Sequence, residues 1–166
     1  MICLVSDLIL TIRAVKDSKN NILNYVALFS DITSTKEQQK RLEYIAHYDA
    51  LTGLPNRVLF SDRLHQAMAQ TRRNKSMLAV VYIDLDGFKE INDVYGHDHG
   101  DILLSTISTR MREVTRDSDT IARIGGDEFV AVIIGLQKQE ECIPMLSRLL
   151  STSSEAVHHN DLVMNV

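Results

Sequence analysis

Cysteine is scarce in this 166-residue sequence: only Cys3 and Cys142 occur, and they form no CxxC pair. A disulfide framework is thereby excluded, and two reduced structural thiols fit a cytoplasmic setting. Long apolar runs are missing as well. The opening Met1-Ile2-Cys3-Leu4-Val5 passes at once into Ser6-Asp7, which is neither a signal peptide nor a membrane span, and no other stretch reaches about 18 apolar residues. Any membrane segments of the protein are therefore expected outside this chain. An excess of positive charge is also lacking, because the formal net charge is -4 and no run of five Lys or Arg residues occurs. A nucleic-acid polymer is accordingly not an expected partner. A nucleotide remains compatible, since a small anion needs only a few local donors and a metal ion.

What is present suits a folded domain. Hydrophobic residues make up 45% of the chain and charged residues 24%, which argues against disorder. The length allows one domain with a sizeable core, or one small domain and a fragment of another. Leu8 to Val15 and Ile22 to Phe29 read as strands joined by a turn at Asp17 to Asn21. A lone hairpin is marginal, so residues 1–32 are expected to be the last strands of a domain. Ser34 and Glu37 have the spacing of a capping box, with Ser34 as cap. The polar helix that follows, to about Ala46, makes residues 33–47 a connecting signalling helix.

Residues 48–166 alternate between the two periods. A helix is predicted from about Asn56 to Arg73, then a central strand covered on both sides at Met77 to Ile83, then a helix through Leu103, Leu104, Ile107 and Met111. Thr120 to Ile124 and Phe129 to Ile134 are strands either side of Gly125-Gly126. A helix from Gln137 to about Ser151 and a strand from Leu162 to Val166 complete the pattern. The order implies an α/β fold with a mixed sheet and flanking helices.

Acidic residues stand at two ends of this pattern. The apolar strand runs into Asp84-Leu85-Asp86-Gly87, and Asp127-Glu128 follow the glycine pair. Carboxylates beside buried strands are costly unless paired or bound to a cation. If both pairs reach one sheet edge, they suit Mg²⁺ or Mn²⁺, and two such ions about 4 Å apart could neutralise a triphosphate. Aspartate is also common in surface turns, which is the competing explanation. Between the pairs, Lys89 could meet phosphate, while Asn92 and Asp101 together could read the donors and acceptors of guanine. His97 and His99, with no cysteine nearby, make a poor zinc site.

Three segments carry a family resemblance. Asp49-Ala50-Leu51-Thr52-Gly53-Leu54-Pro55-Asn56-Arg57, Asp84-Leu85-Asp86-Gly87-Phe88-Lys89-Glu90-Ile91-Asn92-Asp93 and Arg123-Ile124-Gly125-Gly126-Asp127-Glu128-Phe129 occur in order. They resemble the successive signatures of the GGDEF family of diguanylate cyclases. The resemblance implies a palm-like, nucleotide-cyclase-like domain that condenses two GTP into cyclic di-GMP and two pyrophosphates, active as a homodimer. Carried over by position, it implies that Asp84, the Leu85 carbonyl and Asp127 hold Mg²⁺ or Mn²⁺. It makes Asp127 and Glu128 the catalytic acids, Lys89 a phosphate contact, and Asn92 with Asp101 the guanine readers. Arg116-Asp117-Ser118-Asp119 resembles the family's RxxD motif, in which Arg116 and Asp119 bind the inhibitory product, and Arg148 is a further candidate there. A non-catalytic cyclic di-GMP receptor is the alternative function. Leu8 to Ile32 resembles the end of a PAS sensor domain. The family continues beyond the last strand seen here with a further helix, a phosphate-holding lysine and more strands. The 166-residue chain by itself is therefore expected to be a poor cyclase.

Overall fold

The computed structural model describes residues 7–160 and 162–166. The opening Met1 to Val5 segment lies outside the described residues. Two compact units are present, Met1–Tyr44 and Ile45–Val166. In the first, β1 (Leu8–Lys16) and β2 (Ile22–Asp31) form an antiparallel hairpin. Its turn is organised by Asp17, whose Oδ1 accepts from the N–H groups of Lys19 and Asn21, both at 2.8 Å. β-Branched and aromatic residues make good strands, yet Ile12, Leu28 and Phe29 stay 58%, 62% and 64% exposed, so this hairpin has no core of its own. Helix α1 (Thr33–His47) starts one residue before the predicted cap. Ser34 thus lies inside the first turn, and the Asp31 carboxylate accepts from the Thr33 N–H at 2.9 Å instead. Asp31 thus bonds the Thr33 N–H, a different donor from the Lys36 or Glu37 N–H that a Ser34 cap would meet, while the Lys36 N–H donates to the Ile32 carbonyl at 3.0 Å.

The second unit is a three-layer α/β arrangement. Its helices are α2 (Arg57–Asn74), α3 (Phe88–Tyr95), α4 (His97–Val114) and α5 (Ile143–Ser153). Its strands are β3 (Met77–Asp84), β4 (Thr120–Gly125), β5 (Glu128–Leu136), β6 (Val157–His159) and β7 (Leu162–Met164). The central sheet has the order β3-β5-β4 with both ladders antiparallel, and β6 pairs with β7 in a separate hairpin. Along β5 the side chains alternate between two clusters. Phe129, Ala131 and Ile133 join Leu103, Leu104, Ile107 and Met111 of α4, while Val130 and Val132 face Phe60 and Leu64 of α2. This two-residue period places α2 on one face of the sheet and α4 with α5 on the other.

Several local readings change. The apolar run of β3 does not mark the central strand: β5 does, and Val80 and Tyr82 of β3 are 41% and 73% exposed. An apolar run gives no information about which strand lies beside it. One helix expected after β3 is two, because Gly96, at φ 85°, turns the chain between α3 and α4. The helix predicted from Gln137 starts instead as a short 3-10 turn, Gln139–Cys142, and α5 begins at Ile143 with Pro144 in its first turn. No helix of the described residues is long and apolar enough to cross a membrane.

Candidate active site

The carboxyl end of β3 and the β4–β5 turn meet at one end of the sheet. Register pairs Asp84 with Glu128, and Glu128 in turn with Gly125, so three strands contribute one row. Gly126 takes φ 34° in the two-residue turn that it forms with Asp127. Residues directly opposite on antiparallel strands bring their Cβ atoms to about 4.5–5.5 Å, and like charges there are destabilising. Asp84 and Glu128 are both exposed, and Asp127, half-buried, immediately precedes Glu128. The Leu85 side chain is buried, whereas its carbonyl accepts from the Phe88 N–H at 3.3 Å and keeps a second lone pair. Among the described residues no three His, Cys, Asp or Glu side chains converge to cage a metal. The Asp84 and Asp127 carboxylates and the Leu85 carbonyl are oxygen donors of the kind that a hard cation such as Mg²⁺ takes alongside phosphate and water.

Three residues separate β3 from helix α3, and among the described residues no side chain caps the N-terminus of that helix. Lys89 is exposed in its first turn, beside the Phe88 N–H that donates to the Leu85 carbonyl. Asn92 lies one turn further along α3, half-buried, and the Gly96 corner folds the start of α4 back against it. Gly100 contacts the Asn92 amide closely, and Asp101, exposed, is the next residue. Asn92 and Asp101 are thus brought to the same helix corner.

A second set of contacts fixes the glycine turn. Asp49 Oδ1 accepts from the Thr52 N–H at 2.9 Å, from the Thr52 hydroxyl at 2.7 Å and from Arg123 Nη1 at 3.0 Å. Arg123 Nε also donates to the Gly126 carbonyl at 2.8 Å, and its backbone N–H to the Pro55 carbonyl at 3.0 Å. One guanidinium therefore ties the 49–55 loop to the turn that carries Asp127. Burial opposes ionisation of Asp49, but the Thr52 bonds and Arg123 outweigh it and hold the carboxyl below its ordinary value of 3.8. Because the folded value is the lower one, this stabilisation is present above the unfolded value and is lost as pH falls through the folded one. Asp49→Asn is expected to cost about 1.5–3 kcal/mol at neutral pH. In melting experiments the gap from wild type should narrow once pH drops below 3.8; a gap that stays constant to pH 2 to within error, roughly, would discard the account.

On another surface of this unit, Arg116 and Asp119 line a cleft of about 260 Å³ together with Arg63, Arg112 and Tyr48. The Asp119 N–H donates to the Arg116 carbonyl at 2.9 Å, which closes the turn. Asp119 is 8% exposed; its Oδ1 accepts from the Ile134 N–H at 3.1 Å, and its buried Oδ2 has no partner among the described residues. A buried carboxylate oxygen without a donor is costly. Arg148 is not among the residues lining this cleft; its guanidinium lies against Met145 Sδ at 3.6 Å.

Residues 46–166 match the family described as diguanylate cyclase, GGDEF domain. The chain belongs to the GGDEF family. It is 50% identical over 101 residues to the bifunctional diguanylate cyclase/cyclic di-GMP phosphodiesterase MucR of Pseudomonas aeruginosa, covering 61% of this chain and 15% of MucR. It is 44% identical over 116 residues to the cyclic di-GMP phosphodiesterase NbdA of the same organism, covering 70% of this chain and 15% of NbdA. The solved GGDEF domain of Pseudomonas aeruginosa TpbB superposes with a TM-score of 0.68 at 37% identity, covering 72% of this chain and 70% of that one. The chain thus spans a small part of the length of these curated relatives.

Two groups of this GGDEF domain were not assigned roles from sequence. Arg63 and Arg112 reach the Arg116 cleft from α2 and α4, and nothing in their local sequence marks them. Asp49 and Arg123 open the first and third family segments, and an acid and a base at those two points were the available signal for the ion pair they form.

Proposed function

We propose that this GGDEF domain is a diguanylate cyclase that acts as a homodimer. The observation that carries the reading is the pairing of Asp84 with Glu128 beside the Gly126-Asp127 turn. Like charges set opposite each other at the open end of a sheet are unfavourable for folding, and a bound cation removes the penalty. Asp84, the Leu85 carbonyl and Asp127 would hold Mg²⁺ or Mn²⁺, which supplies neutralisation of the triphosphate when bound. Lys89 and the start of α3 bind phosphate, and Asn92 with Asp101 selects guanine through matched donors and acceptors. The 3′-hydroxyl of one GTP attacks the α-phosphorus of the other; a P–O bond forms, the bond to the β-phosphate oxygen breaks, and pyrophosphate leaves. Glu128 accepts the hydroxyl proton in this reading. Each domain presents one nucleotide, so two domains must face each other, and two such attacks yield cyclic di-GMP and two pyrophosphates.

The Arg116 cleft is the product-binding, inhibitory site in this reading. The unpartnered Asp119 Oδ2 calls for an N–H donor, which a guanine edge provides, and Arg116 supplies donors to its acceptors. Arg116→Ala is expected to weaken product binding about 10–100-fold, measured by titration calorimetry, without changing initial turnover. An unaltered affinity would remove Arg116 from the site. The same orphan oxygen favours a second reading, a receptor that binds cyclic di-GMP without making it. The hairpin of the first unit, apolar on both faces, is proposed to be the last part of a PAS-like sensor domain, with α1 as the signalling helix after it.

The deciding experiment incubates the full-length protein with GTP and Mg²⁺ and resolves nucleotides by chromatography. Cyclic di-GMP and pyrophosphate in a 1:2 ratio, about that within error, are expected. Tight product binding with no turnover would replace the cyclase by the receptor.

A further inference from the structure

We infer that Gly100 is a positioning residue for base recognition: its missing side chain is the space in which the Asn92 amide sits. The inference rests on the reading of Asn92 as a guanine contact. Gly100 is buried in the first turns of α4, where glycine is a poor helix former. Its backbone is helical, so no unusual torsion demands glycine there. Space does. A Cβ at Gly100 would lie 2.1 Å from Asn92 Oδ1, 3.0 Å from Cγ and 3.3 Å from Nδ2, and these are its three nearest heavy atoms. All three belong to one amide.

The Asn92 amide makes no hydrogen bond among the described residues, so nothing but packing fixes its direction. Its donors and acceptor are therefore not used by the described residues. The backbone of Asn92 is held independently, because its carbonyl accepts from the Gly96 N–H at 2.9 Å. A methyl group at position 100 would therefore be accommodated by rotation of the Asn92 side chain, leaving both helices in place. Rotation removes the amide from the corner it shares with Asp101. Gly100 thus acts through Asn92, and its effect should vanish when the Asn92 amide is absent.

A double-mutant cycle in the full-length protein tests this. Affinities for the α,β-methylene analogues of GTP and ATP, which cannot be cleaved at the reacting bond, are measured by titration calorimetry with Mg²⁺. Gly100→Ala and Asn92→Ala are each expected to weaken the GTP analogue about tenfold while leaving the ATP analogue unchanged. Adding Gly100→Ala to Asn92→Ala should change the GTP analogue by less than about twofold. Melting gives an independent reading: in the Asn92→Ala background, alanine at 100 should raise Tm by about 2–4 °C through helix propensity, and in the Asn92 background it should not. A Gly100→Ala protein with wild-type discrimination overturns the inference, as does a loss that persists undiminished without Asn92. If Asn92→Ala leaves the GTP analogue unaffected, the guanine reading of Asn92 fails and the recognition role of Gly100 with it. The melting cycle would still report separately whether the two residues touch.

Discussion

Asp127→Ala in the full-length protein is expected to reduce GTP turnover about 10³-fold with little change in Tm. The size follows from the charge that the side chain manages. A cation at a phosphoryl centre stabilises the transition state by several kcal/mol, and each 1.36 kcal/mol is a factor of about ten in rate. Removal of one of its two proposed carboxylate ligands forfeits most of that. The small thermal effect follows from position: Asp127 is half-buried in a two-residue turn, with no hydrogen bond from its side chain among the described residues. Its loss also leaves Asp84 and Glu128 with less negative charge beside them. A variant within tenfold of wild-type turnover, roughly, would remove Asp127 from the proposed metal set, and Glu128 would become the next ligand to test against Asp84.

Phe129→Ala, two residues on, should do the opposite. Phe129 is fully buried, and its ring fills the cluster that joins β5 to α4. Truncating such a residue costs about 3–5 kcal/mol, because the lost apolar burial is joined by a cavity that neighbours fill only in part. Loss of 10 °C or more in Tm, roughly, is the expected reading. Turnover per folded molecule at low temperature should fall far less than in Asp127→Ala. A Tm within about 2 °C of wild type would mean that the cluster is not packed as described. The contrast between two residues of one motif is a direct outcome of strand alternation: Asp127 and Glu128 project from the turn and the sheet end, and Phe129 points into the core.

The first unit contributes an apolar hairpin and a polar helix. In the second unit, α2 and its cap were legible because Asn56 is a strong capping residue; its Oδ1 accepts from the N–H groups of Val58 and Leu59 at 3.0 and 3.1 Å. The β4–β5 turn was legible because paired glycines between two apolar strands admit few other conformations. Helix α3 was not, since Phe88–Tyr95 spans only two turns and its apolar positions Phe88, Ile91 and Val94 are too few to establish a period. β6 was equally hidden, being three residues with two histidines.

The sequence by itself determined the local pieces of this protein: the main turns, the main apolar runs and the identities of the candidate acids, amide and guanidiniums. Each of these depends on residues within a few positions of one another. Only the tertiary structure decided that β5 rather than β3 is central, that Glu128 faces Asp84, that Arg123 joins Asp49 to Gly126, and that Gly100 makes room for Asn92. The physical reason is that strand neighbours and close packing are chosen by burial of both sheet faces at once, and a one-dimensional pattern of apolar and polar residues does not specify which buried surface meets which.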